Sequence, residues 1–314
     1  MGSVGPLLDQ AADRTFALNP SFDLAREAAR NAAGLQHHPT GALYVVATPI
    51  GNLADISLRA LHVLGLVDAI ACEDTRHTQS MLRHYGIERP LLAVHQHNEA
   101  QAAQEVVRRL QAGQRVACVS DAGTPAISDP GARLVAAVRQ AGLGVVPLPG
   151  ASSLSTVLSV AGLGMDGPVV FAGFLPAKAN EREHQLALLA QLGQAVVLLE
   201  APHRIEALAA QLAGLGDRAI TIGRELTKQF EQIVTLPAAQ LPHWLGQDAQ
   251  RTRGEFALVL HPQPQQVDPW PEHERVLAAL LDHVPLKTAV QLAAQITAAP
   301  RNELYERALR LKRP

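Results

Sequence analysis

The sequence has few cysteines, few aromatic residues and no surplus of charge of either sign. Its 314 residues contain two cysteines, and aromatic residues make up 4% of them. Cys72 and Cys118 each lie inside an apolar run without metal-ligand spacing to histidine, so we predict buried free thiols and no metal site. The formal net charge of −2 excludes an overall basic surface. A nucleic acid partner would therefore have to bind local basic patches.

Long hydrophobic segments and the common nucleotide-binding motifs are also absent. No stretch approaches the roughly 20 apolar residues that span a bilayer, and residues 1–40 show no signal-peptide pattern, so we expect a cytoplasmic protein with no membrane segment. Residues 1–40 also lack strong periodicity, and we expect a flexible leader there. Neither a G-x-G-x-x-G fingerprint nor a G-x-x-x-x-G-K-[ST] loop occurs, which removes the main support for a nicotinamide or nucleoside-triphosphate site.

The chain after the leader alternates short apolar runs with helical segments. This alternation predicts an α/β fold with a mostly parallel sheet in an N-terminal domain of residues 41–162. Strands without intervening helices predict a mixed sheet in a second α/β domain of residues 163–262. Residues 263–314 are predicted to form a linker and a C-terminal helical region that resembles a helix-turn-helix.

The predicted elements place several unusual loops at strand ends. The predicted strands cover residues 43–47, 68–72, 91–94, 115–119, 144–148, 169–172, 195–199, 219–222, 232–236 and 256–260. The predicted helices cover residues 57–64, 75–85, 99–111, 130–140, 182–191, 204–213, 272–281, 286–296 and 301–311, and one more opens after residue 149. Ligands of parallel sheets bind beyond the carboxyl ends of the strands, so we expect a ligand site at the loops that follow the first, second, fourth and fifth strands.

The most informative of these loops is the sequence SDAGTP at residues 120–125. The backbone around Gly123, the Asp121 carboxylate and the hydroxyls of Thr124 and Ser128 could hold a polar ligand. The sequence EDTRHT at residues 73–78 places more polar groups after a strand than a helix cap needs, although Asp74 or Thr75 can cap the following helix. Taken alone, each loop can be explained as a turn or a helix cap.

Six motifs together resemble the RNA-modifying branch of the tetrapyrrole methylase superfamily. They are TPIGNL at 48–53, EDTRHT at 73–78, SDAGTP at 120–125, LPG at 148–150, GFLP at 173–176 and ELTK at 225–228. The resemblance runs from about residue 41 to the C-terminus. It implies two α/β domains with S-adenosylmethionine in the cleft between them and a homodimer. It also implies 2'-O-methylation of a cytidine in the decoding region of 16S rRNA in the small ribosomal subunit.

The resemblance and the loops together assign candidate site residues. Asp74, Arg76, Glu225 and Lys228 are the candidate catalytic residues, which would orient the ribose. The candidate cofactor-binding residues are Pro49, Gly51, Ser120, Asp121, Ala122, Gly123, Thr124, Ile127, Ser128, Pro149, Gly150, Ala151, Ser152, Ser153 and Phe174. The candidate RNA-binding residues are Glu73, His77, Lys178, His203 and Arg204. The group that takes the proton stays open between a carboxylate such as Asp74 and a lysine of depressed pKa.

Other polar residues at strand ends, among them Glu200, Glu231 and Glu255, are interpreted as solvated charged turns. Two alternatives for the function remain. One keeps the methylase fold with a tetrapyrrole or a protein side chain as the acceptor, although the candidate rim is rich in charge where a macrocycle needs a large apolar pocket. The other is a non-catalytic ribosome-assembly factor that only binds RNA.

Overall fold

The computed structural model describes residues 22–95, 98–127, 131–164, 167–263 and 270–311. The chain divides into two compact units, Met1–Gln263 and Pro264–Pro314. The first unit contains both predicted sheets and the second contains the C-terminal helices. Among the described residues, no helix is both long enough and apolar enough to cross a membrane.

The first sheet is parallel throughout and has the strand order β3-β2-β4-β1-β5. Its strands are β1 Ala42–Val46, β2 Ala69–Cys72, β3 Leu91–Ala93, β4 Val116–Cys118 and β5 Gly144–Leu148. Its helices are α2 Leu58–Leu66, α3 Thr75–His84, α4 Glu99–Gln111, α5 Ala132–Gln140 and α6 Ser153–Val160. This confirms the predicted α/β architecture. The order places β1 and β4 side by side at the centre, so the loops that follow them meet at the carboxyl edge.

The N-terminal helix α1, Asp23–Ala33, corrects the prediction of a flexible leader for residues 22–40. Ala29 is fully buried in the core of the first sheet, and Phe22 stacks edge-on against the Tyr85 ring. Arg26 donates to the carbonyl of Gly86 at 2.6 Å. The buried residues of this helix are the small alanines Ala29 and Ala33, so its buried face lacks the large apolar side chains by which a core helix is usually recognised.

The second sheet is mixed and has the strand order β6-β7-β10-β8-β9. Its strands are β6 Val169–Phe174, β7 Ala195–Glu200, β8 Ala219–Arg224, β9 Gln232–Pro237 and β10 Phe256–Leu260. Its helices are α7 Ala179–Ala190, α8 Ile205–Leu212 and the short α9 Leu241–Gly246, which the sequence did not indicate. β6 is parallel to β7 and the other neighbouring strands are antiparallel, so the sheet is mixed, as the sequence predicts. Four of these strands, β6 to β9, continue past their predicted ends, and in β7 and β8 the added residues Glu200 and Arg224 both pair with Phe256.

Arg218, which directly precedes β8 of the second sheet, holds three chain segments together. Its guanidinium donates to the carbonyls of His261, Ala190 and Gln194, each at 2.9 Å, and the residue is buried. We expect Arg218→Met to lower the free energy of unfolding by about 3 kcal/mol, because it removes three bonds and leaves carbonyls without donors. Urea unfolding of the two proteins measures this difference. A loss under about 0.5 kcal/mol, the range of ordinary surface substitutions, would contradict the assignment.

The two sheets of the first unit pack against each other through α6. A cluster of buried apolar side chains joins Ile50 and Val157 on the side of the first sheet to Leu226 and Val259 on the side of the second. Ile50, Leu226 and Ala257 of this cluster also line a cleft between the two sheets.

The second unit consists of three helices, α10 Trp270–Leu281, α11 Leu286–Thr297 and α12 Arg301–Leu311. They enclose a core that includes Leu277, Val290 and Leu304. The Arg307 guanidinium lies over the Trp270 ring at 4.0 Å and also pairs with Glu274. The three predicted helices are confirmed, and the predicted linker falls mostly on residues 264–269, outside the described residues.

Candidate functional site

The loops that follow β1 and β4 are joined backbone to backbone. The Thr48 N–H donates to the Gly123 carbonyl at 2.9 Å, and the Gly123 N–H donates back to the Thr48 carbonyl at 3.0 Å. The Ser120 hydroxyl turns inward and donates to the Ala122 carbonyl at 3.1 Å, and Ser120 is buried. Ser120 therefore shapes the loop from inside.

Glycine is needed where these loops approach each other. Gly123 has φ +77°, in the left-handed region, and a Cβ atom there would lie 3.3 Å from Ile50 Cγ2. A Cβ atom at Gly150 would lie 3.0 Å from Ala47 Cβ. The Thr124 hydroxyl donates to the Ala151 carbonyl at 3.2 Å, which ties in the loop after β5. Three of the predicted loops thus form one surface.

This surface forms one wall of a cleft of about 290 Å³. Seven of the predicted cofactor-binding residues line this cleft: Ala122, Gly123, Thr124, Ile127, Ser152, Ser153 and Phe174. The opposite wall comes from the second sheet and includes Phe171, Leu199, Glu200, Leu226 and Phe256. The other candidates that the structure describes are not among the residues that line the cleft. They are Pro49, Gly51, Ser120, Asp121, Pro149, Gly150 and Ala151. Ser128 lies outside the described residues.

Asp74 caps helix α3 and links two of the loops. Its Oδ1 accepts the N–H groups of Arg76 at 2.8 Å and His77 at 3.4 Å, and its own N–H donates to Asp121 Oδ1 at 3.2 Å. The N–H of Arg76, followed by that of His77, lowers the pKa of Asp74. Asp74 is therefore ionised at neutral pH, and one of its oxygens is used by the helix.

Lys228 lies between two carboxylates, those of Glu225, which follows β8, and of Glu255, which precedes β10. Its Nζ lies 2.8 Å from Glu225 Oε1 and 3.2 Å from Glu255 Oε2. Glu225 Oε1 also accepts the Glu255 N–H at 3.0 Å. The turn holds Glu225 at φ +51° and Thr227 at φ +67°, which is uncommon for residues other than glycine. Strain of this kind is typical of functional sites.

The stem of Lys228 lies across Gly51 in the loop that follows β1. A Cβ atom at position 51 would collide with the Cγ and Cε atoms of the lysine. Glycine at this position therefore lets the second sheet's cluster reach the loops of the first sheet. Sequence reasoning placed Gly51 among the cofactor residues, and the structure shows a different reason for the glycine.

Burial would lower the pKa of Lys228, but the hydrogen bonds and charges of Glu225 and Glu255 outweigh it and raise the pKa. Burial would likewise raise the pKa of Glu225, but hydrogen bonds from Lys228 and the Glu255 N–H lower it. Lys228 is therefore an ammonium at neutral pH. The direction of this shift is opposite to the one that a lysine base requires.

These shifts predict how the ion pair stabilises the fold as the pH changes. Its contribution should be fully present between the ordinary pKa values of the two groups, 4.5 for Glu225 and 10.5 for Lys228. It should be lost as the pH falls through the lowered pKa of Glu225 or rises through the raised pKa of Lys228. The difference in unfolding temperature between the wild type and Lys228→Met should therefore stay constant from about pH 6 to 9 and shrink outside this range. A difference that changes most near pH 7 would contradict this expectation.

The structure distributes the predicted catalytic and RNA-binding residues over several places. Glu73, Asp74, Arg76 and His77 follow β2 of the first sheet, and the last two are exposed. Glu225 and Lys228 follow β8 of the second sheet. Lys178 and His203 are exposed, and Lys178 pairs with Glu181 at 2.9 Å. The catalytic candidates thus form two clusters, Asp74 with Arg76 and Glu225 with Lys228, one from each sheet.

Arg204, a predicted RNA-binding residue, has several partners within the protein. Its Nη2 donates to the Leu175 carbonyl at 2.6 Å and to the Pro176 carbonyl at 3.3 Å, and its Nε lies 3.0 Å from Glu200 Oε1. Glu200 corrects the interpretation of a solvated charged turn, because it ends β7 and its side chain is fully buried. Burial depends on the antiparallel partner β10, which the local sequence does not reveal. Among the described residues, no group of three or more metal-ligating side chains occurs.

The chain matches two known families. Residues 42–242 match the family described as Tetrapyrrole (Corrin/Porphyrin) Methylases, and residues 267–312 match the RsmI C-terminal HTH domain. A solved structure of a cobalamin biosynthetic enzyme, cobalt precorrin-4 methyltransferase, has the same fold with a TM-score of 0.53 and 16% identity, covering 72% of this chain and 98% of that one. The fold is that of a tetrapyrrole methylase, and the chain belongs to that family.

Curated relatives are similar over most of their length. The chain is 46% identical over 268 residues to ribosomal RNA small subunit methyltransferase I of Xylella fastidiosa, covering 84% of this chain and 98% of that protein. It is also 46% identical to the protein of the same name in Escherichia coli O157:H7, covering 86% and 95%. Within the family, the chain belongs to the ribosomal RNA small subunit methyltransferase I group.

Proposed function

We propose that this protein transfers a methyl group from S-adenosylmethionine to the ribose 2'-hydroxyl of a cytidine in the decoding region of 16S rRNA. The observation that carries the proposal is the 46% identity, over nearly the whole of the relatives, to proteins named ribosomal RNA small subunit methyltransferase I. The cleft between the sheets provides the physical site. The exposed Arg76, His77, Lys178 and His203 near strand ends provide groups for RNA phosphates and riboses.

The residues of the cleft fit S-adenosylmethionine. The wall from the first sheet offers backbone and hydroxyl groups at Gly123, Thr124 and Ser152 for a polar amino acid tail. The wall from the second sheet offers apolar surface from Phe171, Leu199 and Phe256 for a flat ring. One oxygen of Glu200 is buried without a hydrogen-bond partner among the described residues. Together these groups match a ligand with one polar and one aromatic end.

Bound S-adenosylmethionine supplies a methyl carbon activated by its sulfonium. The protein's part is to align the ribose hydroxyl with that carbon and to exclude competing acceptors. The Lys228 ammonium can donate to the hydroxyl oxygen, and the carboxylates of Glu225 and Glu255 beside it can accept the hydroxyl proton. Asp74 and Arg76 would hold the neighbouring part of the nucleotide from the side of the first sheet. The helical unit of residues 270–311 would add RNA contacts, and the protein would act in the cytoplasm as a homodimer.

Methyl transfer to competing acceptors tests the proposal. Purified protein should transfer labelled methyl groups to small ribosomal subunits or their RNA from cells that lack the protein. The same incubation with a porphyrinoid precursor or with protein acceptors should give no labelled product. Labelling of the porphyrinoid instead of the RNA would overturn the proposed acceptor, and binding of RNA without any transfer would favour an assembly factor.

A further inference from the structure

Glu200 presents a buried carboxylate to the cleft. It is the last residue of β7, lines the cleft, and its side chain has no solvent exposure. Its Oε1 accepts the Ala201 N–H at 2.9 Å and lies 3.0 Å from Arg204 Nε. Its Oε2 is buried and has no hydrogen-bond partner among the described residues. One half of this carboxylate is therefore satisfied by the protein and the other half is not.

A buried carboxylate oxygen without a donor is unfavourable, and buried polar atoms in native proteins nearly always have a partner. Because Oε2 belongs to a residue that lines the cleft, a ligand bound there can supply the missing donor. The Arg204 side chain lies against the other oxygen of this carboxylate, since its Nε is 3.0 Å from Oε1. It bonds the Leu175 and Pro176 carbonyls, so the carboxylate, its counter-ion and the turn after Phe174 form one connected group.

The surroundings of Glu200 indicate which donor it receives. The same wall of the cleft is lined by the apolar residues Phe171, Leu199 and Phe256. Such a surface suits an aromatic ring, whereas the hydroxyls of Thr124 and Ser152 on the facing wall suit a charged tail. A ring that lies on apolar side chains and carries an amino group at its edge satisfies both the wall and the lone oxygen.

We propose that Glu200 Oε2 accepts a hydrogen bond from the exocyclic amino group of the cofactor's adenine, so that Glu200 selects adenine over a 6-oxo purine. A carboxylate at this position accepts from the amino group and repels the carbonyl oxygen of a 6-oxo ring. The inference rests on the proposed function, because it requires that the cleft binds S-adenosylmethionine. It adds a specificity-determining residue to that site.

The experiment measures binding by titration calorimetry, without any methyl transfer. The ligands are S-adenosylhomocysteine and its 6-oxo analogue, S-inosylhomocysteine. The wild type should bind the adenine ligand more tightly than the analogue by about tenfold or more, the effect of one hydrogen bond to a charged group. In Glu200→Gln, affinity for the adenine ligand should fall by about tenfold and the preference should largely disappear, because an amide can donate to the 6-oxo group. Glu206→Gln, the same change at an exposed residue of α8, should match the wild type.

Each other outcome has a distinct meaning. A wild type that binds both ligands equally overturns the inference, whatever the variant does. The inference is also overturned if Glu200→Gln keeps the adenine preference. It is overturned as well if the substitution lowers the affinity for both ligands equally, which would assign Oε2 to another donor, such as the ammonium group of the ligand's amino acid tail. Failure of the wild type to bind either ligand would instead refute the proposed cofactor, and with it the function. Thermal unfolding without ligand checks that both variants are folded.

Discussion

Replacing Lys228 by methionine should lower the rate of methyl transfer to small-subunit RNA by about 100-fold or more. The reason is that, in the proposed mechanism, Lys228 brings a cation to the ribose oxygen, and Glu225 and Glu255 hold that cation in place. Removal of one well-placed donor from an active site commonly costs 100- to 1,000-fold in rate. Single-turnover transfer with saturating cofactor and RNA measures the effect on chemistry apart from binding.

The position of Lys228 separates this role from cofactor binding. The affinity for S-adenosylhomocysteine should be unchanged in Lys228→Met, since this lysine is not among the residues that line the cleft. Lys228→Arg keeps the charge but not the compact ammonium that fits across Gly51, so it should recover only part of the rate. Full activity in Lys228→Met would reject the catalytic assignment, and an equal loss of cofactor affinity would move Lys228 to the cofactor site.

The second large effect is expected for Gly123→Val, which should weaken binding of S-adenosylhomocysteine by about tenfold or more, about 1.4 kcal/mol. The glycine has φ +77°, lines the cleft and lies close to Ile50. A β-branched residue both strains this backbone and narrows the cleft. Calorimetry measures the affinity.

Gly113→Val is a matched control for this substitution. Gly113 also has a left-handed φ, +83°, but nothing lies within 4 Å of a Cβ atom there, and it follows α4 away from the cleft. Both variants should lose about 1 to 2 kcal/mol of stability from the strained backbone. Only Gly123→Val should lose affinity. Similar losses of affinity in both would mean that strain in the fold, and not the shape of the cleft, controls binding.

The sequence predicts the sheets better than it predicts the partners of individual side chains. The strands were recognisable because apolar runs such as residues 195–199 are short, β-branched and bounded by turns. The loops of the cleft were recognisable because polar residues follow these runs directly. In contrast, the residues that helix α1 buries are Ala29 and Ala33, and its buried face has no large apolar side chain that marks it as part of the core.

The partners depend on strands that are distant in the chain. Strand β10 pairs with β7 at Glu200 and with β8 at Arg224, and this pairing brings Glu255 beside Lys228. Neither contact follows from local spacing. Gly51 gives the clearest case, since its lack of a side chain makes room for the stem of Lys228, a contact that its motif did not indicate. The sequence thus indicated the loops that line the cleft but not the contacts that hold them together.

The central claim, transfer of a methyl group to a ribose of small-subunit RNA, is tested most directly by locating the methyl group. Small-subunit RNA from cells that lack the protein should be incubated with the purified protein and labelled S-adenosylmethionine, then digested to nucleosides. The account predicts a single labelled product, 2'-O-methylcytidine, which maps to the decoding region and is missing with Lys228→Met. A label on a base, or no label on RNA under conditions in which the protein binds S-adenosylmethionine, would contradict it.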